Sequence, residues 1–327
     1  NDPLPKLFAL SESHALGARV AAHLGTDLGA HEERDFEDGE HKLRPLESVR
    51  GAEVFVLQSL HGEPQRSVHD KLVRLLFFIA ALKDAAAARV TAVLPSLCYA
   101  RKDRRTKPRD PLATRYIAQL LEAVGTDRVV ALDVHNPAAV ENAFRCPLQL
   151  LDTARLFADH FAARIAVGPV VVMSPDTGGI KRAERLRVAL AARLGREVGS
   201  AFLEKYRSAG VVSGSALVGE VRAAQVIIVD DLISTGGTLL RAAAACRRHG
   251  ARHVHAAAGH GLFTGAAGEQ LADPALDGIV ITDSVPPLRL EGTPARARVE
   301  VVSVAPLLAE TLRRMHTGGS VVELLEP

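Results

Sequence analysis

The segment Val226-Ile-Ile-Val-Asp230-Asp231-Leu-Ile-Ser234-Thr235-Gly236-Gly237-Thr238 sets two adjacent carboxylates at the end of an apolar run, then a small, hydroxylated, glycine-containing turn. A helix is expected next, through Leu240 and Arg248. Parts in that order make an anion site. The glycines let the backbone approach a phosphate, the helix N-terminus offers unpaired N–H groups and a favourable dipole, and the hydroxyls of Ser234, Thr235 and Thr238 add donors. Asp230 and Asp231 could then accept from the hydroxyls of a sugar whose phosphate the turn holds. The plainer reading is a strand–turn–helix corner capped by Ser and Thr. Against it, two acids ending an apolar strand cost desolvation unless a ligand or metal compensates.

Other segments place reactive side chains just past apolar runs. Ser174-Pro-Asp176-Thr-Gly178-Gly179 offers a carboxylate, a hard oxygen ligand suited to magnesium. Val129-Val-Ala-Leu-Asp133-Val-His135 ends on a histidine; a lone histidine is commonly structural, and the strand-end position is what makes His135 a candidate. Tyr99-Ala-Arg101-Lys102-Asp103 opens a loop whose residues 101–109 include six basic side chains. Guanidinium forks suit polyphosphate oxygens; a nucleic-acid patch and a solvated loop are the rival readings. In Phe36-Glu37-Asp38-Gly39-Glu40 an aromatic face stands beside a glycine turn, which suits a purine, although Asp-Gly-Glu is also a common turn. Glu204-Lys205-Tyr206-Arg207 opens a polar, Gly/Ser-containing connection through Ser215. Taken alone, its two cations read as solvated charges in a loop. His253, His255 and His260 have no carboxylate or cysteine beside them in sequence and are expected to be structural.

The elements that must carry these residues alternate. Short apolar runs at Glu53–Gln58, Arg89–Pro95, Val129–Asp133, Val170–Met173 and Val226–Asp230 lack the two-residue alternation of a half-exposed strand, as parallel strands covered on both faces do. Between them lie segments of helical period. In Ser67–Lys83, Val68, Leu72, Leu75, Ile79 and Leu82 share a face and Ser67 is placed to cap. This rhythm predicts doubly wound parallel sheets, in which ligands sit at the carboxyl ends of strands. It breaks near Arg145–Pro147 and resumes, which predicts a domain boundary there.

Composition narrows the partners. A chain of 327 residues exceeds the usual single core, so two domains are expected. The net charge of +2 is too balanced for nucleic acid or an anionic membrane to be the main partner, and the basic run at 101–109 lacks interleaved aromatics. Leu72–Leu82 is too short to span a bilayer and carries Arg74. Residues 1–11 do not read as a signal peptide, so a cytoplasmic protein is expected. Cys98, Cys146 and Cys246 form no CxxC pair and read as small buried residues. No Walker loop occurs, and Gly259–Gly265 misses the dinucleotide fingerprint by one residue.

Taken together, these segments resemble the ribose-phosphate pyrophosphokinase (phosphoribosyl pyrophosphate synthetase) family over nearly the whole chain. Residues 230–238 resemble the motif that family shares with the type I phosphoribosyltransferases. The combination of Phe36–Glu40, Val129–His135 and Lys205-Tyr206-Arg207 resembles the synthetases and separates them from the transferases. The resemblance implies an α/β protein of two doubly wound parallel-sheet domains of the type I phosphoribosyltransferase-like kind. They would span 1–146 and 147–305, with 306–327 packing back onto the first. It implies a ribose-phosphate diphosphokinase of nucleotide biosynthesis, which uses Mg²⁺ to transfer the pyrophosphoryl group of ATP to the anomeric hydroxyl of ribose 5-phosphate. The products are 5-phosphoribosyl 1-pyrophosphate and AMP. Lys205 and Arg207 are implied to be catalytic, and Phe36, Asp38, Gly39, Glu40, Arg101 and Lys102 to hold ATP. Arg207, Asp230, Asp231, Ser234, Thr235, Gly236, Gly237 and Thr238 would hold ribose 5-phosphate, and His135 and Asp176 the metal. A homo-oligomer, a hexamer built from dimers, is implied as well. Lys102, Asn136, Thr177 and Ser234 depart from the family's usual residues. The alternatives are a type I phosphoribosyltransferase and a non-catalytic regulatory paralogue; Lys205, Arg207, His135 and the phosphate turn are all present, which disfavours the second.

Overall fold

The structure, a computed structural model, describes residues 5–208 and 211–326, with side chains described outside 205–215. The chain divides into two compact units, Asn1–Leu151 with Val304–Leu324, and Asp152–Ser303 with Leu325–Pro327.

In the first unit, strands β1 (Lys6–Ala9), β4 (Glu53–Leu57), β5 (Arg89–Leu94), β6 (Arg128–Leu132) and β7 (Leu148–Leu151) form a parallel sheet in the order β1-β4-β5-β6-β7. Strand β7, just past the break near Arg145–Pro147, is its last strand, and the units divide at Leu151. The strands read as unbroken apolar runs because both faces are covered. Phe8, Val54, Val56, Val90, Ala92, Leu94, Val129 and Ala131 enter one core with the inner faces of helices α2 (Val68–Asp84) and α3 (Ala113–Ala123). Alternation sends Phe55, Leu57, Val93 and Val130 to the other side. Burying each large side chain contributes roughly 1.5–3 kcal/mol.

Helix α2 begins where its cap residue predicts. The Ser67 side chain accepts from the Asp70 N–H while Asp70 accepts from the Ser67 N–H, a reciprocal capping box. Helix α1 (His14–Leu24) lies against the last helix, α9 (Ala305–Thr317), where Arg313 Nη2 donates to the His23 carbonyl at 2.8 Å and His316 Nδ1 is 2.6 Å from Glu53 Oε2. A separate antiparallel hairpin, β2 (His31–Asp35) and β3 (His41–Pro45), packs on α2. The short helix α4 (Pro137–Ala143) follows β6.

In the second unit, β8 (Val170–Ser174), β9 (Gly199–Ser208), β10 (Val211–Val218), β11 (Gln225–Ile233), β12 (His253–Gly261), β13 (Gly278–Thr282) and β14 (Val299–Val302) form one sheet, in the order β10-β9-β8-β11-β12-β13-β14. All neighbours are parallel except the edge pair β9 and β10. Helices α5 (Ala154–Ala162), α6 (Ile180–Leu194) and α7 (Gly237–Arg248), with the short α8 (Ala267–Gln270), cover the faces. Val226 and Ile228 enter one core, Ile227 and Val229 the other.

Two expectations change here. The polar connection expected from Glu204 to Ser215 is instead backbone of β9 and β10, apart from residues 209 and 210, which lie outside the described residues. Val211, Val212 and Tyr206 favour extended backbone, and the pairing tolerates Gly214 by a register shift between Val212 and Gly214. Strand β11 also runs past Asp230 to Ile233, because β12 continues to supply partners, Asp230 opposite Ala258 and Ile233 opposite Gly261.

Candidate active site

In the second unit, the overhang of β11 presents the acids. Its pairing with β8 stops at Ile228 opposite Met173, while pairing with β12 goes on. Asp230 and Asp231 therefore lie within the strand, not beyond it, and alternation gives them different surroundings. The Asp231 side chain is 5% exposed and that of Asp230 30%. Asp230 Oδ1 accepts from the Asp231 N–H at 2.8 Å. Burial, then the adjoining Asp231 side chain, pushes the Asp230 carboxyl up to about 7. Arg182, in the first turn of α6, opposes that rise. The sequence reading missed Arg182, since an arginine early in a helix is indistinguishable from a solvated one until the strand behind it is placed.

After β11, Ser234–Gly236 turn into α7. Gly236 has φ +88° and caps the helix, and a Cβ there would lie 2.6 Å from Leu271 Cδ2. Both the left-handed backbone and the packing demand glycine. Helix geometry leaves the N–H groups of the first turn without intrahelical acceptors. The Ser234 and Thr264 hydroxyls bond at 2.8 Å, and the Thr264 N–H donates to the Ser234 carbonyl at 3.1 Å. Residues 262–265, which carried no expected role, thus brace the turn from below. Thr238 Oγ1 accepts from Arg241 Nη2 at 3.0 Å. Gly236→Ala is expected to lose about 2–4 kcal/mol of stability, from left-handed strain plus the Leu271 clash. Gly237→Ala, whose nearest new neighbour is Arg241 Nη1 at 3.6 Å, should cost little. Thermal denaturation of the two variants checks the contrast.

Asp176 follows β8 and caps the short turn Thr177–Gly179. Its Oδ1 accepts from the N–H groups of Gly178 at 3.0 Å and Gly179 at 3.3 Å, and Ser174 Oγ donates to its carbonyl at 2.5 Å. The carboxylate is thereby oriented before any ligand arrives. Thr177, exposed in this turn, leaves that geometry intact.

In the first unit, Phe36–Glu40 form the tip of the β2–β3 hairpin. The Phe36 N–H donates to the Glu40 carbonyl at 2.8 Å, Gly39 takes φ +90°, and Asp38 Oδ1 accepts from the Glu40 N–H at 3.1 Å. Phe36 is 40% exposed, with the Arg34 guanidinium 5.1 Å over its ring. Beneath the tip, Asp35 pairs with Arg66 and Arg74, and Arg66 Nε donates to Glu12 at 2.7 Å. Those pairs fasten a hairpin that two strands alone would hold only marginally.

Past β5, Arg101 is exposed, whereas Lys102 is engaged. Lys102 Nζ donates to Asp110 Oδ2 at 2.8 Å, and that oxygen also accepts from the N–H groups of Thr106 and Lys107, both at 3.0 Å. The Lys102 ammonium, first, and these donors hold the Asp110 carboxyl well below the usual carboxylate range. Lys102 would have to leave Asp110 to meet a nucleotide. Past β6, Asp133 takes φ +43° and His135 is exposed. Asn136 has a structural reason for its departure: it caps α4 through the Ala139 N–H at 3.3 Å and donates to Asp103 Oδ2 at 2.8 Å, joining this strand end to the basic loop.

Lys205 and Arg207 lie in β9, opposite Ser215 and Val212; their side chains fall outside the described residues. Among the described residues no group of three or more His, Cys, Asp or Glu could hold a metal ion. His253, His255 and His260 are accounted for otherwise: His255 sits edge-on to Phe161, His253 pairs with Asp277, and His260 Nδ1 is 2.8 Å from Ser284 Oγ. Burial pushes the thiols of Cys98 and Cys246 up to about 12 and that of Cys146 to about 11, which makes them poor nucleophiles. Among the described residues no helix is long and apolar enough to cross a membrane.

A family profile described as the N-terminal domain of ribose phosphate pyrophosphokinase matches residues 5–125, and a phosphoribosyl synthetase-associated domain matches 211–326. The ribose-phosphate pyrophosphokinase of Caldanaerobacter subterraneus subsp. tengcongensis is 39% identical over 98% of this chain and 97% of its own. Ribose-phosphate pyrophosphokinase 1 of Listeria innocua is 35% identical over 99% of this chain and 98% of its own. The crystal structure of phosphoribosylpyrophosphate synthetase from Mycobacterium smegmatis matches with a TM-score of 0.86 at 35% identity, covering 97% of this chain and all of that one.

Proposed function

This chain belongs to the ribose-phosphate pyrophosphokinase family, and from that membership we propose that it forms 5-phosphoribosyl 1-pyrophosphate from ribose 5-phosphate and ATP. The anomeric hydroxyl attacks the β-phosphorus of ATP and gives up its proton. The new O–P bond forms as the bond from the β-phosphorus to the bridging α,β-oxygen breaks, and AMP leaves with that oxygen. Such transfer needs in-line placement and charge neutralisation more than covalent help.

The observation that carries the reading is likeness to named synthetases along essentially the full length of the chain, which includes a strand, a glycine turn and a helix N-terminus in succession. On this reading Ser234–Thr238 and the first turn of α7 hold the 5-phosphate, and Asp230 and Asp231 accept from the ribose hydroxyls. Phe36 stacks on adenine, with Asp38, Gly39, Glu40, Arg101 and Lys102 around the nucleotide. Lys205 and Arg207 neutralise the transferring group and the departing AMP oxygen.

A magnesium ion fits the donors present. Mg²⁺ is commonly held by one or two protein groups plus waters and substrate phosphates, so a three-ligand protein cage is not required. In the second unit, Asp176, its carboxylate fixed by two backbone N–H groups, would offer such an ion an oxygen ligand; in the first unit, His135 is the residue proposed as a metal ligand. The bound ion would supply charge neutralisation to the polyphosphate. We further propose a cytoplasmic homo-oligomer, a hexamer built from dimers. In support, exposed Val73 and Phe77 on α2 and Tyr116 and Leu120 on α3 offer apolar surface to bury.

The test is AMP release from ATP with magnesium and ribose 5-phosphate, against controls lacking each. Release only with all three is expected. A phosphoribosyltransferase would release no AMP and would instead liberate pyrophosphate from the activated sugar in the presence of a base.

A further inference from the structure

Two carboxylates on neighbouring residues of one strand repel, and Asp231 is buried. A bare pair tends to share a proton and so loses acceptors that a sugar needs. The cation facing both is Arg182, whose Nη1 lies 3.6 Å from Asp230 Oδ1 and 3.7 Å from Asp231 Oδ1. Both distances exceed a hydrogen bond, and the buried Nε has no hydrogen-bond partner. The guanidinium therefore acts as a positive charge between two negative ones, not as a bidentate fork. Its side chain is only 14% exposed, which leaves that charge poorly screened.

The same residue is joined to the Asp176 turn. Arg182 stands in the first turn of α6, directly after Thr177–Gly179, and a Cβ at Gly179 would lie 3.6 Å from its Nη1 and 2.6 Å from Ser174 Oγ. We infer that Arg182 is a positioning residue for the sugar: it keeps Asp230 and Asp231 together as acceptors and ties them to the turn that carries Asp176. The inference rests on the reading of Asp230 and Asp231 as the sugar-binding pair.

Two charged or titratable side chains on the neighbouring elements β12 and α7 have partners elsewhere. His260 on β12, opposite Leu232, is turned to Ser284, and Arg241 on α7 is turned to Thr238. Arg182 and the Asp231 backbone N–H both oppose the rise of the Asp230 carboxyl that burial and the Asp231 side chain cause, so removing the Arg182 charge lets that rise grow.

Steady-state AMP release by the wild type, Arg182→Met and Arg182→Lys tests this, with ribose 5-phosphate and pH varied. Methionine should raise KM for ribose 5-phosphate at least about tenfold, leave KM for ATP within about twofold, and move the acid limb of kcat/KM up by about one pH unit. Lysine supplies the charge without the fork, and should restore KM to within about threefold of wild type and the acid limb to within about half a pH unit. A methionine variant with wild-type KM and acid limb overturns the inference. So does a folded lysine variant whose KM for ribose 5-phosphate is at least about tenfold above wild type, which decides the matter even where methionine costs the fold; thermal midpoints of all three proteins identify that case. A wild type that releases no AMP overturns the functional reading instead.

Discussion

Lys205→Ala is expected to lower turnover about 10³-fold while ATP affinity stays within a few-fold. In pyrophosphoryl transfer, charge builds on the equatorial oxygens of the moving group and on the departing AMP oxygen. A cation that meets those oxygens only in the transition state contributes to kcat and little to ground-state binding. Removing one preorganised donor of this kind typically costs about 10²–10³ in rate. Lys205 belongs to the edge pair of its sheet, held by a single neighbouring strand on its outer side, where backbone can adjust to a ligand at modest cost. Rapid-quench measurement of AMP formation, beside equilibrium binding of ATP, checks both halves. Turnover within tenfold of wild type, or ATP affinity lost in parallel with turnover, would remove Lys205 from the catalytic role.

Asp230→Asn should move stability and activity in opposite directions. The folded protein raises this carboxyl from 3.8 to about 7, chiefly by burial. Below the unfolded value the group is neutral in both states and contributes nothing. As pH rises, the unfolded chain ionises first and unfolding is favoured; the penalty grows until the folded carboxyl also ionises near 7, then levels off. Partial exposure reduces the effect to about 1 kcal/mol, or roughly 2–4 °C for a domain of this size. In the ligand-free protein with chelator present, the asparagine variant should therefore melt higher than wild type above neutral pH, and alike in acid. It should also lose about 10²-fold in kcat/KM for ribose 5-phosphate, because an amide is a poorer acceptor than a carboxylate for a sugar hydroxyl. Melting curves that run parallel at every pH would show that Asp230 is not strained by burial.

Local signals carried much of the fold. Unalternating apolar runs mark strands buried on both faces, and Val54–Leu57 and Val226–Val229 are such strands. Ser67 starts α2 because a cap depends on residues three apart. The hairpin under Phe36 was not legible, since His31–Asp35 is wholly polar and is held by Arg66 and Arg74, which lie far along the chain. Nor was the edge pairing of β9 with β10, where glycine and serine read as loop.

By itself, then, the sequence determined the unalternating buried strands, the Ser67 cap, the strand–turn–helix order around Gly236 and the parallel-sheet α/β class, because these rest on spacing within a few residues. Only the tertiary structure decided that β11 outruns β8, that Thr264 braces Ser234, that Lys102 is paired to Asp110 and that Arg182 faces both Asp230 and Asp231. Each is a contact between segments brought together by sheet order, and a partner's distance sets electrostatic strength, which no periodicity along one segment encodes.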